Sequence, residues 1–392
     1  MEQSVTRRAL FFIGGYDPKT PEAFFGRMRK EVQRFDHLWD TATSVSDLRS
    51  DIDRASVTLT AHSLSEGWST QSDFTFLALD RLVLSDFNRP LLSRLVHYLT
   101  AFSGFILAGS AQRFFHKAWR FGLYFIYPFI TLVVFALLAV VSALLLSPWL
   151  GLASIAIGLV VFFVALSILG KQWSLLHLMD LWSFSFQFIQ GRRPDAEALL
   201  QEFAGSIVRA VRSARYDEII LIGHSTGGML ILDVAARCLS LDKGFSRRAA
   251  RVSILTLGST ALKAGYCKSA TAFRQNVSKL VADPHLQWVE IQCLTDPINF
   301  YKTDPVKEMN LGKPTKSDFP LIRSVRMKEM LQPDTYRRIK RNFFRVHYQY
   351  VFGNTKAYWY DFFQICCGPT TLEDRARNHV LGNRQGFEEG CR

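Results

Sequence analysis

A stretch without any charged residue, residues 121–170, limits what this chain can fold into more than any other feature. A Ser-Pro-Trp sequence at residues 147–149 divides it into two apolar segments, residues 121–146 and 150–170. Each segment is long enough to cross a hydrocarbon core of about 30 Å as a helix. The sequence therefore predicts a transmembrane hairpin. The alternative is a buried hairpin in a soluble protein, which uncharged runs of this length seldom form.

The charges at the two ends of the hairpin predict its orientation. Basic residues flank both outer ends, with Arg113, Lys117 and Arg120 on one side and Lys171 on the other, while the turn carries no charge. Basic flanks remain on the cytoplasmic side of a membrane. We therefore expect a multi-pass membrane protein whose remaining chain, including both termini, faces the cytoplasm.

The composition of the chain limits the classes of partner that it is expected to bind. Its net charge is +13 and 48% of its residues are hydrophobic, which is typical of a basic surface beside anionic lipid. Nucleic acid is the competing explanation, but the basic residues are scattered and no nucleic-acid-binding motif is found, so we predict no nucleic-acid partner. The six cysteines lack Cys-x-x-Cys spacing, which favours reduced thiols in a cytosolic compartment.

Outside the hairpin, strand-like and helix-like stretches alternate, and this pattern is typical of a parallel α/β sheet. The hairpin then lies in an insertion, residues 101–190, between the N-terminal part (1–100) and the C-terminal part (191–392) of one α/β domain. The strands are expected at residues 8–13, 57–64, 74–79, 218–222, 252–257, 287–294 and about 343–347. The helices are expected at residues 21–35, from the capping residue Asp195 to about 212, and at 226–238.

Ser225 stands between an apolar strand and an apolar helix, in the sequence Gly-His-Ser-Thr-Gly-Gly. A nucleophile elbow needs small residues where strand and helix backbones pass closely, and Gly223, Gly227 and Gly228 supply them. The serine hydroxyl would then lie at the positive end of the helix, with the Thr226 N–H directed at an oxyanion. We predict that Ser225 is a nucleophile, the alternative being a small polar residue in a tight turn.

These residues resemble the α/β-hydrolase superfamily, and its lipases in particular. Residues 223–228 are similar to the family's Gly-His-Ser-x-Gly-Gly elbow, residues 255–259 to the strand and turn that often follow it in class 3 lipases, and residues 293–298 to their Asp-Pro-Val segment. The resemblance implies an α/β-hydrolase fold, here interrupted by the membrane hairpin. It covers residues 219–300 well and the first strand loosely. The hairpin and Thr226, which replaces a more common Leu or Met, depart from the family pattern.

A serine nucleophile needs a base, and the base needs an acid that follows the serine in the chain. Asp296 comes after an apolar strand, where loops of the carboxyl edge gather, so it is the expected acid; its alternative role is turn formation before Pro297. His347 ends the last expected strand, where the family delivers its histidine, and is the expected base. His379, in a polar segment, is the alternative base.

The second oxyanion donor should come from the loop after the first strand. Gly14 and Gly15 end that strand and would let backbone N–H groups approach a substrate, as in the His-Gly type oxyanion loop of lipases, although the histidine is absent. We predict Tyr16 as this donor, the alternative being an ordinary glycine turn. The chemistry requires neither a cofactor nor a metal.

Taken together, the sequence predicts a membrane-anchored serine hydrolase that cleaves an ester through a Ser-His-Asp acyl-enzyme mechanism. Lipids and thioesters are among the candidate substrates, because a site held beside a membrane favours lipophilic acyl groups. Two alternatives stay open. One is a noncatalytic membrane interaction protein that retains the hydrolase fold, and the other is a peptidase or acyltransferase with the same triad.

Overall fold

A nine-stranded sheet organises the larger of two compact units in the computed structural model, which describes residues 4–379. This unit combines the described parts of Met1–Leu84 and Arg193–Arg392, and the second unit is Ser85–Arg192. The strands are β1 (Arg7–Ile13), β2 (Thr41–Val45), β3 (Arg49–Asp51), β4 (Arg54–Ser63), β5 (Ser69–Leu77), β6 (Glu218–His224), β7 (Arg251–Leu257), β8 (Leu286–Gln292) and β9 (Leu321–Ser324).

The strand order is β2-β4-β5-β1-β6-β7-β8-β9, with β3 paired to β4. All neighbours from β5 across to β9 are parallel, while β2, β3 and β4 add antiparallel pairs at one edge. Every residue of β6 is buried, as its continuous apolar run requires of a central parallel strand. The predicted α/β architecture with a mostly parallel sheet is confirmed.

Helices flank the sheet and make up the second unit. In chain order they are α1 (Pro21–Trp39), α2 (Asp80–Phe87), α3 (Leu91–Leu107), α4 (Ser110–Lys117), α5 (Trp119–Leu150), α6 (Ala153–Ala165), α7 (Leu175–Ile189), α8 (Pro194–Ser213), α9 (Thr226–Leu241), α10 (Leu262–Gly265), α11 (Thr271–Ala282), α12 (Pro305–Glu308), α13 (Met327–Met330), α14 (Pro333–Ile339), α15 (Phe343–Tyr348), α16 (Phe362–Cys367) and α17 (Leu372–Asn378). A π-helical turn, Leu166–Gly170, continues α6.

Two helices in the second unit are long and apolar enough to cross a membrane, Trp119–Leu150 and Ala153–Gly170. The turn between them differs from the predicted one, because Pro148 lies inside α5 and the chain reverses at Gly151. Gly151 has φ +52°, a conformation that glycine adopts without steric cost. Close packing of the pair depends on Gly158, where a Cβ would lie 2.7 Å from the carbonyl oxygen of Ala139.

Two local expectations about the other elements are wrong. The stretch predicted as the last strand, residues 343–347, is helix α15, which begins where the Asn342 side chain accepts a hydrogen bond of 2.9 Å from the Arg345 N–H. The parallel edge of the sheet ends instead with β9. Asp195 does not cap α8, because the helix already begins at Pro194 and the Asp195 carboxylate pairs with the Arg193 guanidinium at 2.7 Å.

Candidate active site

The carboxyl ends of the central parallel strands meet at one edge of the sheet. Gly223 pairs with Ile13 at the end of β1, and His224 pairs with Leu257 at the end of β7. The order of strand addition changes between β1 and β6, since β2 to β5 lie on one side of β1 and β6 to β9 on the other. A crevice outside the carboxyl ends at such a switch point is where open α/β sheets bind ligands.

Ser225 occupies the sharp turn between β6 and α9 in this crevice. Its backbone has φ +59° and ψ −122°, a combination that residues with side chains rarely adopt. The surrounding backbone holds it there, because the Ser225 N–H donates to the Leu257 carbonyl at 3.0 Å and the Ser225 carbonyl accepts from the Thr260 N–H at 3.1 Å. Strain retained in this way is typical of a functional turn.

The three glycines predicted for the elbow lie where no side chain fits. A Cβ on Gly223 would be 2.4 Å from the Gly227 carbonyl oxygen, and one on Gly227 would be 2.2 Å from that of Ile13. On Gly228, a Cβ would be 2.5 Å from the Ser259 hydroxyl oxygen. The turn around Ser225 therefore depends on the absence of side chains at all three positions.

The structure brings the predicted acid and base into contact. The Nδ1 atom of His347 lies 2.7 Å from Oδ2 of Asp296, and both side chains are buried. The other carboxylate oxygen of Asp296 accepts from the Ile298 N–H at 2.9 Å, and the Asn299 side chain donates to the Asp296 carbonyl at 2.7 Å. Since an ionised carboxylate only accepts hydrogen bonds, Nδ1 carries the imidazole proton and Nε2 offers a lone pair.

The predicted nucleophile is not hydrogen-bonded to this histidine. The buried Nε2 atom of His347 has no hydrogen-bond partner among residues 4–379, and the Ser225 hydroxyl is therefore not bonded to it. Catalytic hydrogen bonds are often long in proteins without substrate and shorten when substrate binds. The structure therefore shows a His347–Asp296 pair and a nearby turn at Ser225, without a hydrogen bond between the serine and Nε2.

His224 contacts the backbone of His347. Its Nε2 atom lies 2.9 Å from the backbone carbonyl oxygen of His347, and the two rings are 4.6 Å apart. Burial, followed by the charge of His347, lowers the pKa of His224 well below its usual value. His224 therefore stays neutral and donates its Nε2 proton to that carbonyl, which fixes the backbone that carries His347.

Of the two residues predicted to bind an oxyanion, Thr226 follows Ser225 in the chain and Tyr16 follows a glycine that lies close to it. Thr226 is the first residue of α9, at the helix end where N–H groups and the macrodipole favour negative charge. A Cβ on Gly15 would be 3.6 Å from the Ser225 hydroxyl oxygen, so the glycine loop that leads to the buried Tyr16 passes close to this hydroxyl.

Two further residues of the site carry no local sequence signal. Lys263, on α10, is fully buried and its ammonium group donates to the Thr226 hydroxyl at 3.2 Å. Burial lowers the pKa of Lys263 to about 7. Asn299 links the Asp296 turn to the end of β8 by donating to the Cys293 carbonyl at 2.9 Å. Both positions read as ordinary surface or loop residues in the sequence.

His379, the alternative base, lies elsewhere. Its ring packs on Trp359 with 4.8 Å between ring centroids, and burial followed by the charge of Arg323 lowers its pKa. His379 makes no hydrogen bond to Asp296, whose Oδ2 atom contacts His347 instead. Among residues 4–379, no three His, Cys, Asp or Glu side chains are grouped to hold a metal ion.

No protein-family model, no curated protein and no solved structure matches this chain. The structure by itself defines an α/β protein whose nine-stranded, mostly parallel sheet is flanked by helices. The same chain carries two apolar helices of membrane-spanning length.

Proposed function

We propose that the chain is a membrane-anchored serine hydrolase of the α/β-hydrolase type, which cleaves ester bonds through an acyl-enzyme. The observation that carries this proposal is the buried hydrogen bond of 2.7 Å between His347 and Asp296, at the sheet edge where Ser225 occupies a strained elbow. A serine, a histidine and a carboxylate in these roles form the constellation that activates serine for acyl transfer.

In this mechanism the Ser225 oxygen attacks the acyl carbonyl carbon while its proton passes to Nε2 of His347. Asp296 holds the resulting imidazolium in place through Nδ1. The N–H groups of Thr226 and Tyr16 stabilise the negative oxygen of the tetrahedral intermediate. The imidazolium then protonates the departing alcohol. A water molecule, deprotonated by His347, releases the acid from Ser225.

Lipids and other lipophilic acyl compounds are the substrates that this location favours. The two apolar helices would keep the site beside a membrane, and the basic flanks at Arg113, Lys117, Arg120 and Lys171 favour its cytoplasmic side. The preference is tested by comparing the hydrolysis of dispersed long-chain esters with that of short soluble esters. Faster turnover of the short esters, in membranes and in detergent alike, would contradict it.

One observation favours the alternative of a noncatalytic membrane interaction protein with the same fold. Without the hydrogen bond from Ser225 to Nε2 of His347, the serine has no base in contact. In the proposed enzyme this bond forms when substrate fills the site. In the alternative it never forms and Ser225 remains unreactive. A peptidase or acyltransferase would share every residue named above, so only its products distinguish it.

Labelling with a fluorophosphonate probe separates an enzyme from a noncatalytic protein. The full chain, in its membrane fraction, is compared with the variants Ser225→Ala, His347→Ala and His379→Ala. The proposal requires labelling of the wild type and of His379→Ala, and loss of labelling in the other two. An unlabelled wild type would refute the enzyme, and labelling lost only in His379→Ala would assign the base to His379.

A further inference from the structure

A pocket beside the candidate triad contains positive charge that the proposed reaction does not use. Its lining includes Gly15 and His224, which flank Ser225 in space and in sequence, together with Tyr348, the neighbour of His347. Lys19, Arg27 and the carboxylate of Asp17 also line it, and the rest of its wall is mainly apolar.

Arg27 is the unexplained residue of this pocket. Its guanidinium group donates no hydrogen bond and forms no ion pair within residues 4–379, although the side chain is half-buried on α1. It rests instead on aromatic rings, 5.0 Å from the centroid of Phe352 and 5.9 Å from that of Tyr348. A buried guanidinium ordinarily finds an anion, because it has five N–H donors and carries a permanent charge.

The acidic residues near Arg27 are already engaged. Asp17 accepts from the Lys19 ammonium group at 2.6 Å and from the Tyr348 hydroxyl. Glu31 pairs with Arg34 at 2.8 Å and accepts from the Gly353 N–H at 2.9 Å. The charges of Lys19 and Asp17 therefore offset each other, and that of Arg27 is left without a carboxylate in contact.

A second guanidinium group lies on the same aromatic ring. Arg345 stands 4.4 Å from the centroid of Phe352, and no hydrogen bond or ion pair engages its guanidinium within residues 4–379. Burial lowers the pKa of Arg27, the charges of Tyr348, Asp17 and Glu31 oppose this effect, and the like charge of Arg345 adds to it. Arg345 is exposed, and an anion that contacted both guanidinium groups would accept charge-assisted hydrogen bonds from each.

We propose that Arg27 and Arg345 bind the phosphate group of an anionic ester substrate whose acyl carbonyl is attacked by Ser225, an inference that rests on the hydrolase function proposed above. Two guanidinium groups that make no hydrogen bond or ion pair within residues 4–379 match a phosphate, which carries up to two negative charges and three acceptor oxygens. A single carboxylate would satisfy only one of them.

The test compares two esters that differ only in the phosphate, a long-chain lysophosphatidate and the monoacylglycerol with the same chain. The full-length protein in detergent micelles is assayed for the ratio of kcat/KM between them. Losing one charge-assisted contact should lower this ratio about tenfold in Arg27→Gln. Lys30→Gln removes an exposed charge from the same helix and should leave the ratio at the wild-type value. Equal ratios in wild type and Arg27→Gln would overturn the proposal.

A binding measurement keeps this inference separate from the proposed catalysis. A fluorescent lysophosphatidate is titrated into Ser225→Ala, with and without Arg27→Gln, so that no turnover is needed. Weaker binding with Arg27→Gln supports the phosphate site even if no ester is hydrolysed, and unchanged binding overturns it. Displacement by glycerol 3-phosphate supports recognition of the phosphate alone. Dependence on Arg27 without displacement supports recognition of a lipid-borne phosphate.

Discussion

Replacing Asp296 with asparagine tests the candidate triad without changing its shape. In the native site one oxygen of Asp296 accepts from the Ile298 N–H at 2.9 Å and the other contacts Nδ1 of His347 at 2.7 Å. The side-chain oxygen of asparagine would keep the first contact, so its NH₂ group would face Nδ1. An amide nitrogen only donates, and Nδ1 would have to become the acceptor. The imidazole proton would then move to Nε2.

Such an imidazole has no lone pair at Nε2 for the Ser225 proton. We expect kcat/KM for ester hydrolysis to fall about 10⁴-fold in Asp296→Asn, which corresponds to about 5 kcal/mol of transition-state stabilisation. The variant should fold normally, because it is isosteric and retains both hydrogen bonds. The assay is ester hydrolysis by the full chain in detergent, together with fluorophosphonate labelling and thermal unfolding on the same samples.

Asp304→Asn is the matched control. Asp304 caps α12 by accepting from the N–H groups of Val306 and Lys307 at 3.0 and 3.2 Å, and asparagine caps a helix as well as aspartate. The control should therefore retain wild-type hydrolysis and stability. A folded Asp296→Asn protein with activity within tenfold of the wild type would refute the assignment of Asp296 as the residue that orients the base.

Three further predictions concern folding, pH and the membrane. Gly227→Ala places a Cβ 2.2 Å from a backbone oxygen and should cost roughly 3 kcal/mol or more, whereas Gly26→Ala, with no atom within 4 Å, should gain up to about 1 kcal/mol; similar thermal unfolding of both would contradict this. Burial raises the pKa of Glu290 from 4.5 to about 8. Between these two pH values Glu290 is ionised in the unfolded chain and protonated in the folded protein, so stability falls as the pH rises from 4.5 to about 8. Glutamine does not ionise, so the stability of Glu290→Gln should not fall with pH in this way. Relative to the wild type, its free energy of unfolding in detergent should be higher by roughly 3 kcal/mol near pH 7 and almost unchanged near pH 4.5. A cysteine introduced by Leu152→Cys, at the turn of the apolar hairpin, should react with an impermeant thiol reagent from outside the cell, and one introduced by Lys302→Cys only after permeabilisation. Reaction of both from the same side would contradict the proposed orientation.

The sequence reveals the centre of the sheet better than its edges. β6 contains the continuous apolar run of residues 219–222, and β7 is mainly apolar, so the burial of these central strands can be predicted from the sequence. β3 and β9 are only 3 and 4 residues long and carry polar side chains, which leaves no pattern to detect. The short run at residues 343–347, which begins with two phenylalanines, is compatible with a strand or a helix. The side-chain cap by Asn342 favours the helix that the structure shows.

The candidate site shows the same division between local and distant information. The elbow at Ser225 can be predicted because its requirement for small neighbours is met within six residues, 223–228. The contact between Asp296 and His347 joins residues 51 positions apart, and the sequence pointed to it through residue order and expected strand ends, although His347 lies on a helix. The roles of Lys263 and Arg27 depend on which side chains surround them after folding, and no spacing in the sequence encodes that.

The pairing of the first strand determines when the sheet can be completed during synthesis. β1 pairs with β6, and the preceding Thr6 bonds to Asp217 across 211 positions of sequence. At 5 to 20 residues per second, a ribosome needs roughly 10 to 40 s to make that intervening segment. The ribosome completes both apolar helices within this time. The Val5 N–H donates to the Pro369 carbonyl, which is synthesised later still. The two apolar helices are therefore synthesised before the crevice can form, so the proposed hydrolase would acquire its site only after its proposed membrane anchor has been made.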